Sequence, residues 1–222
     1  MYALEAVIFD LDGLLIDSEP YWQAAQIEIL GELGVPLTPA DCRTTTGMRI
    51  EEVIAYWHRR FPWSGQSPVE VAARVRRRVI ESIQTDGELK AGVVPALEFV
   101  RRRGVRCALA SSSACELIDA FLERFALRSY FDVISSAESE AYGKPHPAVY
   151  LSTAQRLALA PQHCLAIEDS LNGVIAAKAA QMRCLAVPER PVADDRRWGV
   201  ADMVLESLAQ LDEEVWRRLQ SL

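Results

Sequence analysis

The chain has 222 residues, of which half are hydrophobic, and its formal net charge is −7. A chain of this length and hydrophobicity buries a substantial core in one large domain or two unequal ones, which excludes global disorder. Nonspecific binding to nucleic acid needs a basic surface, so the acidic balance predicts no nucleic-acid partner. A local cationic pocket for a small phosphorylated metabolite is compatible with this balance.

Cysteine use and the hydrophobic pattern favour a cytoplasmic protein. The five cysteines include no C-x-x-C pair, and Cys107, Cys164 and Cys184 lie in apolar runs, as reduced buried thiols do. The sequence shows no signal-peptide pattern and no apolar stretch near the roughly 18 residues of a membrane span. We therefore expect no membrane partner. Since no exposed apolar heptad pattern is visible, we expect a monomer.

The first predicted element is an apolar run, Ala6–Phe9, that ends in two aspartates, Asp10 and Asp12, and a glycine. Such a run is typical of a buried parallel strand. In an open α/β sheet, ligands bind just beyond the carboxyl ends of the strands. Side-chain alternation along an extended chain would place both carboxylates on the same side. Taken alone, this pattern fits a plain turn as well as a catalytic or metal-binding pair.

A helical segment follows this strand, and alternating helices and strands follow the helical segment. Helices are predicted over residues 18–34, with Ser18 as N-cap, and over residues 38–47, 50–60 and 67–83. Later helices are predicted over residues 94–103, 114–125, 148–157 and 171–180, and strands over residues 105–110, 131–135, 164–167, 184–187 and 203–205. Strands that alternate with helices form right-handed units with a parallel sheet. We predict an α/β fold with a Rossmann-like parallel sheet core, residues 1–16 and 91–222, and a small inserted all-helical cap, residues 17–90.

Three predicted strands end in polar residues, and one later loop carries a lysine. The residues concerned are Asp10, Asp12, Ser111, Ser112, Glu168, Asp169 and Lys144. Because parallel strands end at the same edge of a sheet, we expect these groups to converge. Several carboxylates without histidine or cysteine suit Mg²⁺, while serine hydroxyls, backbone N–H groups and a lysine suit phosphate. A carboxylate attacks phosphorus once a cation and a lysine neutralise the repulsion, so the cluster predicts phosphoryl transfer.

Four segments together resemble the four motifs of the haloacid dehalogenase superfamily, in the expected order. They are FDLDGLLIDSE, LASSS, the loop Lys144-Pro145-His146-Pro147, and IEDSLNG. The helical insertion resembles the cap of the β-phosphoglucomutase-like branch, and the segments TTTGMR and PWSG resemble bacterial phosphatases of the hexitol phosphatase and 2-deoxyglucose-6-phosphate phosphatase kind. The resemblance implies a phosphatase for small sugar or sugar-alcohol phosphates that uses Mg²⁺, with Mn²⁺ or Co²⁺ as substitutes.

The resemblance also implies a role for each matched residue. Asp10 would be the nucleophile, and Asp12 would protonate the leaving oxygen and later deprotonate water. The transferring phosphoryl group would be bound by Ser111, Ser112 and Lys144. The metal would be held by Asp10, the Asp12 backbone carbonyl and Asp169, with Glu168 binding it directly or through water. In the cap, Gly47 and Arg49 would contact the sugar or form a plain turn, and Asn172 has a smaller claim to direct involvement.

Three other functions compete with sugar phosphatase. A phosphomutase of the β-phosphoglucomutase type shares all four motifs, but such mutases typically carry a histidine where Trp22 stands, and its absence favours hydrolysis. A dehalogenase needs no Mg²⁺ and leaves Asp12 and the Glu168–Asp169 pair unexplained. A non-catalytic binding module would show a degraded motif. We further expect the cap to close over the site on two connections, residues 16–19 and 87–92, and to set specificity.

Overall fold

The computed structural model describes residues 3–188 and 196–221, and within them one six-stranded sheet forms the centre. The strands are β1 (Ala6–Phe9), β2 (Arg106–Ser111), β3 (Val133–Ser136), β4 (Cys164–Glu168), β5 (Arg183–Ala186) and β6 (Met203–Val204). Their order is β3-β2-β1-β4-β5-β6, and every neighbouring pair is parallel. The predicted α/β fold with a Rossmann-like parallel sheet is confirmed.

Strand β1 lies in the middle of the sheet and is fully buried. Val7 and Phe9 face one hydrophobic core, and Ala6 and Ile8 face a second core on the other side of the sheet. Helices cover both faces, which explains why the strand reads as an unbroken apolar run. The side chains on the Ile8 face of neighbouring strands are small, and those on the Phe9 face are large: Ala108, Ala110 and Ala166 against Leu109, Leu165 and Ile167.

Nine α-helices occur in the described ranges. Four lie between β1 and β2: α1 (Glu19–Glu32), α2 (Pro39–Cys42), α3 (Ile50–Arg60) and α4 (Pro68–Asp86). The others are α5 (Val93–Arg102), α6 (Cys115–Arg124), α7 (Ala148–Arg156), α8 (Leu171–Ala179) and α9 (Glu213–Gln220). None of these helices is both long and apolar enough to cross a membrane. The division into core and cap domains at residues 16/17 and 90/91 stays a prediction.

The helical insertion follows its sequence signals in most places. Helices α2 and α4 begin with capping boxes, formed by Thr38 with Asp41 and by Ser67 with Glu70, which satisfy N–H groups of the first turn. The second predicted helix is shorter than expected, because the chain tightens into a 3₁₀ turn at Arg43–Thr45. Capping signals therefore located the starts of both helices better than their ends.

Two departures from the predicted elements have a physical cause. Ser18 precedes α1 but makes no capping hydrogen bond, because its hydroxyl is used by Asp12 at the end of β1. Helix α9 was not predicted, although Asp212 caps it by accepting hydrogen bonds from Glu214 and Val215. This short helix is stabilised by burying Val215, Trp216 and Leu219 against the core.

The two connections between the sheet and the helical insertion run side by side. Ile16 forms isolated bridges with Asp12 and with Leu89, and the Lys90 N–H donates to the Leu15 carbonyl at 3.0 Å. The chain therefore enters and leaves the insertion through one paired segment close to the end of β1. Four cysteines are buried and Cys115 is exposed, and all five are free thiols.

Gly92 caps the start of α5 in a conformation that only glycine adopts easily, with φ of +85°. A Cβ atom there would lie 2.2 Å from the backbone nitrogen of Ala209, so both strain and a clash oppose any side chain. We predict that Gly92→Ala lowers the free energy of unfolding by about 3 kcal/mol or more. Chemical denaturation measures this.

The matched control is Gly104→Ala. Gly104 also has a positive φ, +68°, but nothing lies within 4 Å of its Cβ position, so it reports backbone strain alone, about 1–2 kcal/mol. Equal losses for the two variants would show that the contact with Ala209 is unimportant.

Candidate active site

One cavity lies where the carboxyl ends of β1, β2 and β4 meet the helical insertion. The sheet side is lined by Asp10, Asp12, Gly13, Ser111, Ser112, Ser113, Ala114, Lys144, Asp169 and Ser170. The insertion side is lined by Glu19, Trp22, Gln26, Cys42, Thr45, Thr46, Gly47, Met48, Ile50 and Val53. The predicted convergence of polar strand ends is therefore observed, and the insertion covers it.

Lys144 is the centre of a buried charge network and is only 3% exposed. Its ammonium group donates to Asp10 Oδ1 at 2.6 Å, to Glu168 Oε1 at 2.6 Å and to the Ala110 carbonyl at 3.1 Å. These three contacts use all three donors of the ammonium group. Tyr150 also donates its hydroxyl to Glu168 Oε1, at 2.5 Å. Lys144 thus fixes the orientation of the Asp10 carboxylate and neutralises part of its charge.

Two carboxyl groups at this network, those of Asp10 and Asp169, have raised pKa values. Burial raises the pKa of Asp10 to about 7, which Lys144 opposes and Glu168 reinforces. Burial, followed by the charges of Asp10 and Glu168, raises the pKa of Asp169 well above its usual value. Burial disfavours the charge on Lys144, but its two carboxylate partners outweigh this and raise its pKa. The single positive charge of Lys144 therefore does not balance the negative charges that Asp10, Glu168 and Asp169 would carry together.

A divalent cation fits this excess of negative charge. Asp10, Glu168 and Asp169 each offer one carboxylate oxygen, and these oxygens lie within 4.8 Å of one another. Gly13 makes room for the group, because a Cβ atom there would lie 2.0 Å from Asp169 Oδ2. Glu168 has other partners as well, since Lys144 and Tyr150 occupy its Oε1. Participation of the Asp12 backbone carbonyl stays a prediction.

The Asp12 carboxylate accepts hydrogen bonds from four side chains. Oδ1 accepts from the Ser18 hydroxyl at 2.7 Å and from the Trp22 indole N–H at 3.0 Å. Oδ2 accepts from the Ser113 hydroxyl at 2.7 Å and from the Ser111 hydroxyl at 3.4 Å. Two of these donors come from the sheet side, one from the connection and one from helix α1. These donors fix the orientation of the Asp12 carboxylate, and the contact with α1 ties it to the position of the insertion.

Sequence reasoning missed both Ser113 and Ser18 as partners of Asp12. Ser113 is the third serine after β2, and nothing in a run of three serines tells which hydroxyl faces Asp12. Ser18 has the sequence pattern of a helix N-cap, so its hydrogen bond to Asp12 was not predicted. Trp22 was singled out only for the histidine it replaces.

The turn at Thr46 and Gly47 docks directly on the sheet side of the cavity. The Ser112 hydroxyl donates to the Gly47 carbonyl at 3.1 Å, and the Asn172 amide donates to the Thr46 carbonyl at 3.2 Å. A Cβ atom at Gly47 would lie 3.0 Å from Ser170 Oγ, so the approach is close. In this conformation Ser112 and Asn172 contact the insertion, and Gly47 lines the cavity as expected of a substrate-facing residue.

Arg49 lies at a contact between the insertion and the sheet side. It is not among the described residues that line the cavity. Its guanidinium pairs with Glu52 at 2.5 Å and donates to the carbonyls of Ala137 at 3.2 Å and Glu140 at 2.9 Å. These partners take four of the five N–H donors of the guanidinium. In this conformation Arg49 therefore joins the insertion to the sheet side, and its contact with a substrate stays a prediction.

Comparison with known proteins agrees with this geometry. Residues 4–181 match the haloacid dehalogenase-like hydrolase family model. Hexitol phosphatase B of Escherichia coli K12 is 42% identical to this chain over 207 residues, which cover 93% of each protein. Phosphorylated carbohydrates phosphatase of Thermotoga maritima is 33% identical over 180 residues, which cover 80% of this chain and 82% of that protein. The crystal structure of CbbY from Rhodobacter sphaeroides in complex with phosphate superposes with a TM-score of 0.86 at 28% identity, covering 99% of this chain and 100% of that one. The chain belongs to the haloacid dehalogenase-like hydrolase family.

Proposed function

We propose that this protein is a Mg²⁺-dependent phosphatase that hydrolyses small sugar or sugar-alcohol phosphates through an aspartyl-phosphate on Asp10. The observation that carries this proposal is the buried contact of Lys144 with Asp10 and Glu168, beside Asp169, at the end of β1. The names of the hexitol phosphatase and carbohydrate phosphatase relatives support the substrate class.

In the first step, Asp10 attacks the phosphorus atom of the substrate. Lys144 binds Oδ1 of Asp10, so the attack falls to Oδ2. Mg²⁺ held by Asp10, Asp169 and the Asp12 carbonyl would supply the charge that allows a carboxylate to approach a phosphate dianion. The Ser111 hydroxyl, whose contact with Asp12 is long at 3.4 Å, would turn to the transferring phosphoryl oxygens, together with N–H groups that follow β2.

In the second step the phosphoryl group is transferred from Asp10 to water. Asp12 acts in both steps. It gives a proton to the leaving alcohol and then takes one from the water that attacks the aspartyl-phosphate. The Ser18 and Ser113 hydroxyls and the Trp22 indole hold its carboxylate in place for both roles. The indole N–H of Trp22 can only donate, so it binds Asp12 Oδ1 as an acceptor and leaves proton transfer to Oδ2.

A phosphomutase is the second candidate, and the Trp22 contact argues against it. A mutase must hold its phosphorylated enzyme until a second sugar phosphate replaces the first. The Trp22 indole holds the Asp12 carboxylate in place while the insertion covers the site, which favours prompt attack of water on the aspartyl-phosphate. Arg49, a basic residue of the insertion, pairs with Glu52 and two carbonyls outside the cavity lining, so it is not placed to bind a second phosphate.

We also propose that the insertion moves as a cap. The paired connections at Ile16 and Leu89 would act as the hinge. Closing the cap makes the contacts of Ser112 with Gly47, Asn172 with Thr46 and Arg49 with Ala137 and Glu140, and these contacts seal the cavity from water. Opening it admits substrate and releases product.

The nucleophile assignment predicts that Asp10→Asn abolishes phosphate release. The amide cannot attack phosphorus, so kcat falls by about 10⁴-fold or more while the fold is retained. Phosphate release from sorbitol 6-phosphate with Mg²⁺ measures the loss, and circular dichroism checks the fold. Asp17→Asn is the matched control, because Asp17 is exposed and follows the same strand. Residual turnover near the wild-type rate in Asp10→Asn would refute the assignment.

The metal site predicts how stability depends on pH. The folded-state pKa values of Asp10 and Asp169 lie above their unfolded values, so the metal-free protein loses stability as pH rises from about 4 through 7. Mg²⁺ should reverse this loss at pH 7.5. Asp169→Asn removes one of the repelling charges, so it should raise the metal-free melting temperature by about 3 °C or more and abolish most of the Mg²⁺ shift.

Thermal melts at pH 5.5 and 7.5, with and without Mg²⁺, measure these effects. Asp119→Asn, at an exposed carboxylate paired with Arg128, is the control for loss of one negative charge. A metal-free protein that gains stability over this pH range would contradict the proposed metal site.

Trp22→Phe tests the proposed role of the indole N–H. It keeps the aromatic ring but removes a donor to Asp12, so the second step should slow and kcat should fall by about tenfold or more. A burst of p-nitrophenol from p-nitrophenyl phosphate should then precede steady-state turnover. Trp63→Phe is the control, because the Trp63 indole donates to the Gln66 carbonyl at 3.2 Å, within the insertion. A slower rate without a burst would place the effect of Trp22 on the first step.

A further inference from the structure

Gln26 on α1 is a buried polar side chain that none of the proposed catalytic steps uses. It lines the cavity and is only 5% exposed. In the described part of the chain, its Oε1 atom has no hydrogen-bond partner. Leaving a buried acceptor unsatisfied costs about 1–3 kcal/mol, so such a group in a native fold calls for an explanation. A partner brought by the substrate is the simplest one for a group that lines the cavity.

Gln26 belongs to one stripe of α1 that faces the cavity. Glu19, Trp22 and Gln26 follow a spacing of three and four residues, and all three line the cavity. Trp22 contacts Asp12, which acts on the leaving oxygen of the substrate. Gln26 lies four residues further along the helix, about 6 Å from Trp22 along the axis. This places its carboxamide within reach of the far hydroxyls of a six-carbon leaving alcohol.

Glu19 adds a second acceptor to the same wall. Its carboxylate accepts hydrogen bonds from the Gln23 amide at 2.9 Å and from the Thr46 hydroxyl at 3.1 Å. These contacts hold it against the turn that closes the cavity. A carboxylate has lone pairs for further donors, and hydroxyl groups of a substrate can supply them.

The cavity offers no suitable place for a second anionic group. Of the described residues that line it, Lys144 is the only basic one, and its donors are taken by Asp10, Glu168 and Ala110. A carboxylate or second phosphate on the leaving alcohol would also face the charge of Glu19. Repulsion of this kind separates related substrates as effectively as attraction does.

We propose that Gln26 and Glu19 form a hydroxyl-binding wall that selects an uncharged, hydroxylated leaving alcohol. The wall gives its best hydrogen bonds to the hydroxyls of a sugar alcohol or neutral sugar. It leaves the Gln26 acceptor unpaired when the alcohol is apolar, and the carboxylate of Glu19 repels an alcohol that carries a second negative charge. The inference rests on the proposed phosphatase function and names the residues that set its substrate class.

The first test compares sorbitol 6-phosphate with hexyl phosphate, which has the same carbon number but no free hydroxyls. Gln26→Met keeps the side-chain length and removes the acceptor. It should lower kcat/KM for sorbitol 6-phosphate about tenfold more than kcat/KM for hexyl phosphate. It should also raise the melting temperature of the substrate-free protein by about 2 °C or more, because the orphaned acceptor is gone. Gln84→Met, at an exposed position of α4, is the matched control.

The second test compares sorbitol 6-phosphate with 6-phosphogluconate, which differs by a carboxylate at the far end. The wild-type protein should prefer sorbitol 6-phosphate by about 100-fold in kcat/KM, and Glu19→Gln should reduce that preference about tenfold. Glu19→Gln keeps a hydrogen-bond acceptor for Thr46.

Equal losses on sorbitol 6-phosphate and hexyl phosphate in Gln26→Met would overturn the hydroxyl-binding wall, as would wild-type turnover of 6-phosphogluconate at the sorbitol 6-phosphate rate. Absence of phosphate release from every ester by the wild-type protein would instead contradict the proposed phosphatase function. The two failures are therefore distinguishable.

Discussion

The buried ammonium group of Lys144 is the interaction on which the rest of this structure depends. A buried charge is tolerated only when partners surround it, and here the partners follow β1, lie within β2 and end β4. A slip in the pairing of any of these strands would separate Lys144 from one acceptor. The register of the sheet therefore also sets the geometry of the site. The apolar strands that build the core hold Asp10 in the position from which it would attack phosphorus in the proposed mechanism.

The insertion also fixes the position of Asp12, the proposed acid and base. Asp12 is held from the sheet by Ser111 and Ser113, and from the insertion side by Ser18 and Trp22. Its full set of donors therefore exists only when the insertion covers the cavity. In the proposed mechanism, exclusion of solvent and preparation of the base would occur in the same movement. Selection of the leaving alcohol would depend on the same helix, α1, through Glu19 and Gln26.

Much of this arrangement could be predicted from the sequence, because its signals are local. Apolar runs that end in polar residues gave the central strands, and the common edge of a parallel sheet brought Asp10, Ser111, Lys144 and Asp169 together. What could not be predicted depends on contacts between distant segments. Ser18 looked like a helix cap, Arg49 like a ligand for sugar, and Gln26 like any polar residue of a helix. Only the packing of the insertion on the sheet gave Ser18 and Arg49 their partners and left the Gln26 Oε1 atom without one among the described residues.

The location of the phosphoryl group during turnover tests the central claim most directly. Turnover of labelled sorbitol 6-phosphate with Mg²⁺ is stopped in acid within milliseconds, and the labelled peptide is identified by mass spectrometry. Attack by the carboxylate that Lys144 orients predicts an acid-stable acyl phosphate on Asp10, which hydroxylamine removes. Label on a serine that follows β2, or phosphate release with no covalent intermediate at any time point, would contradict the account.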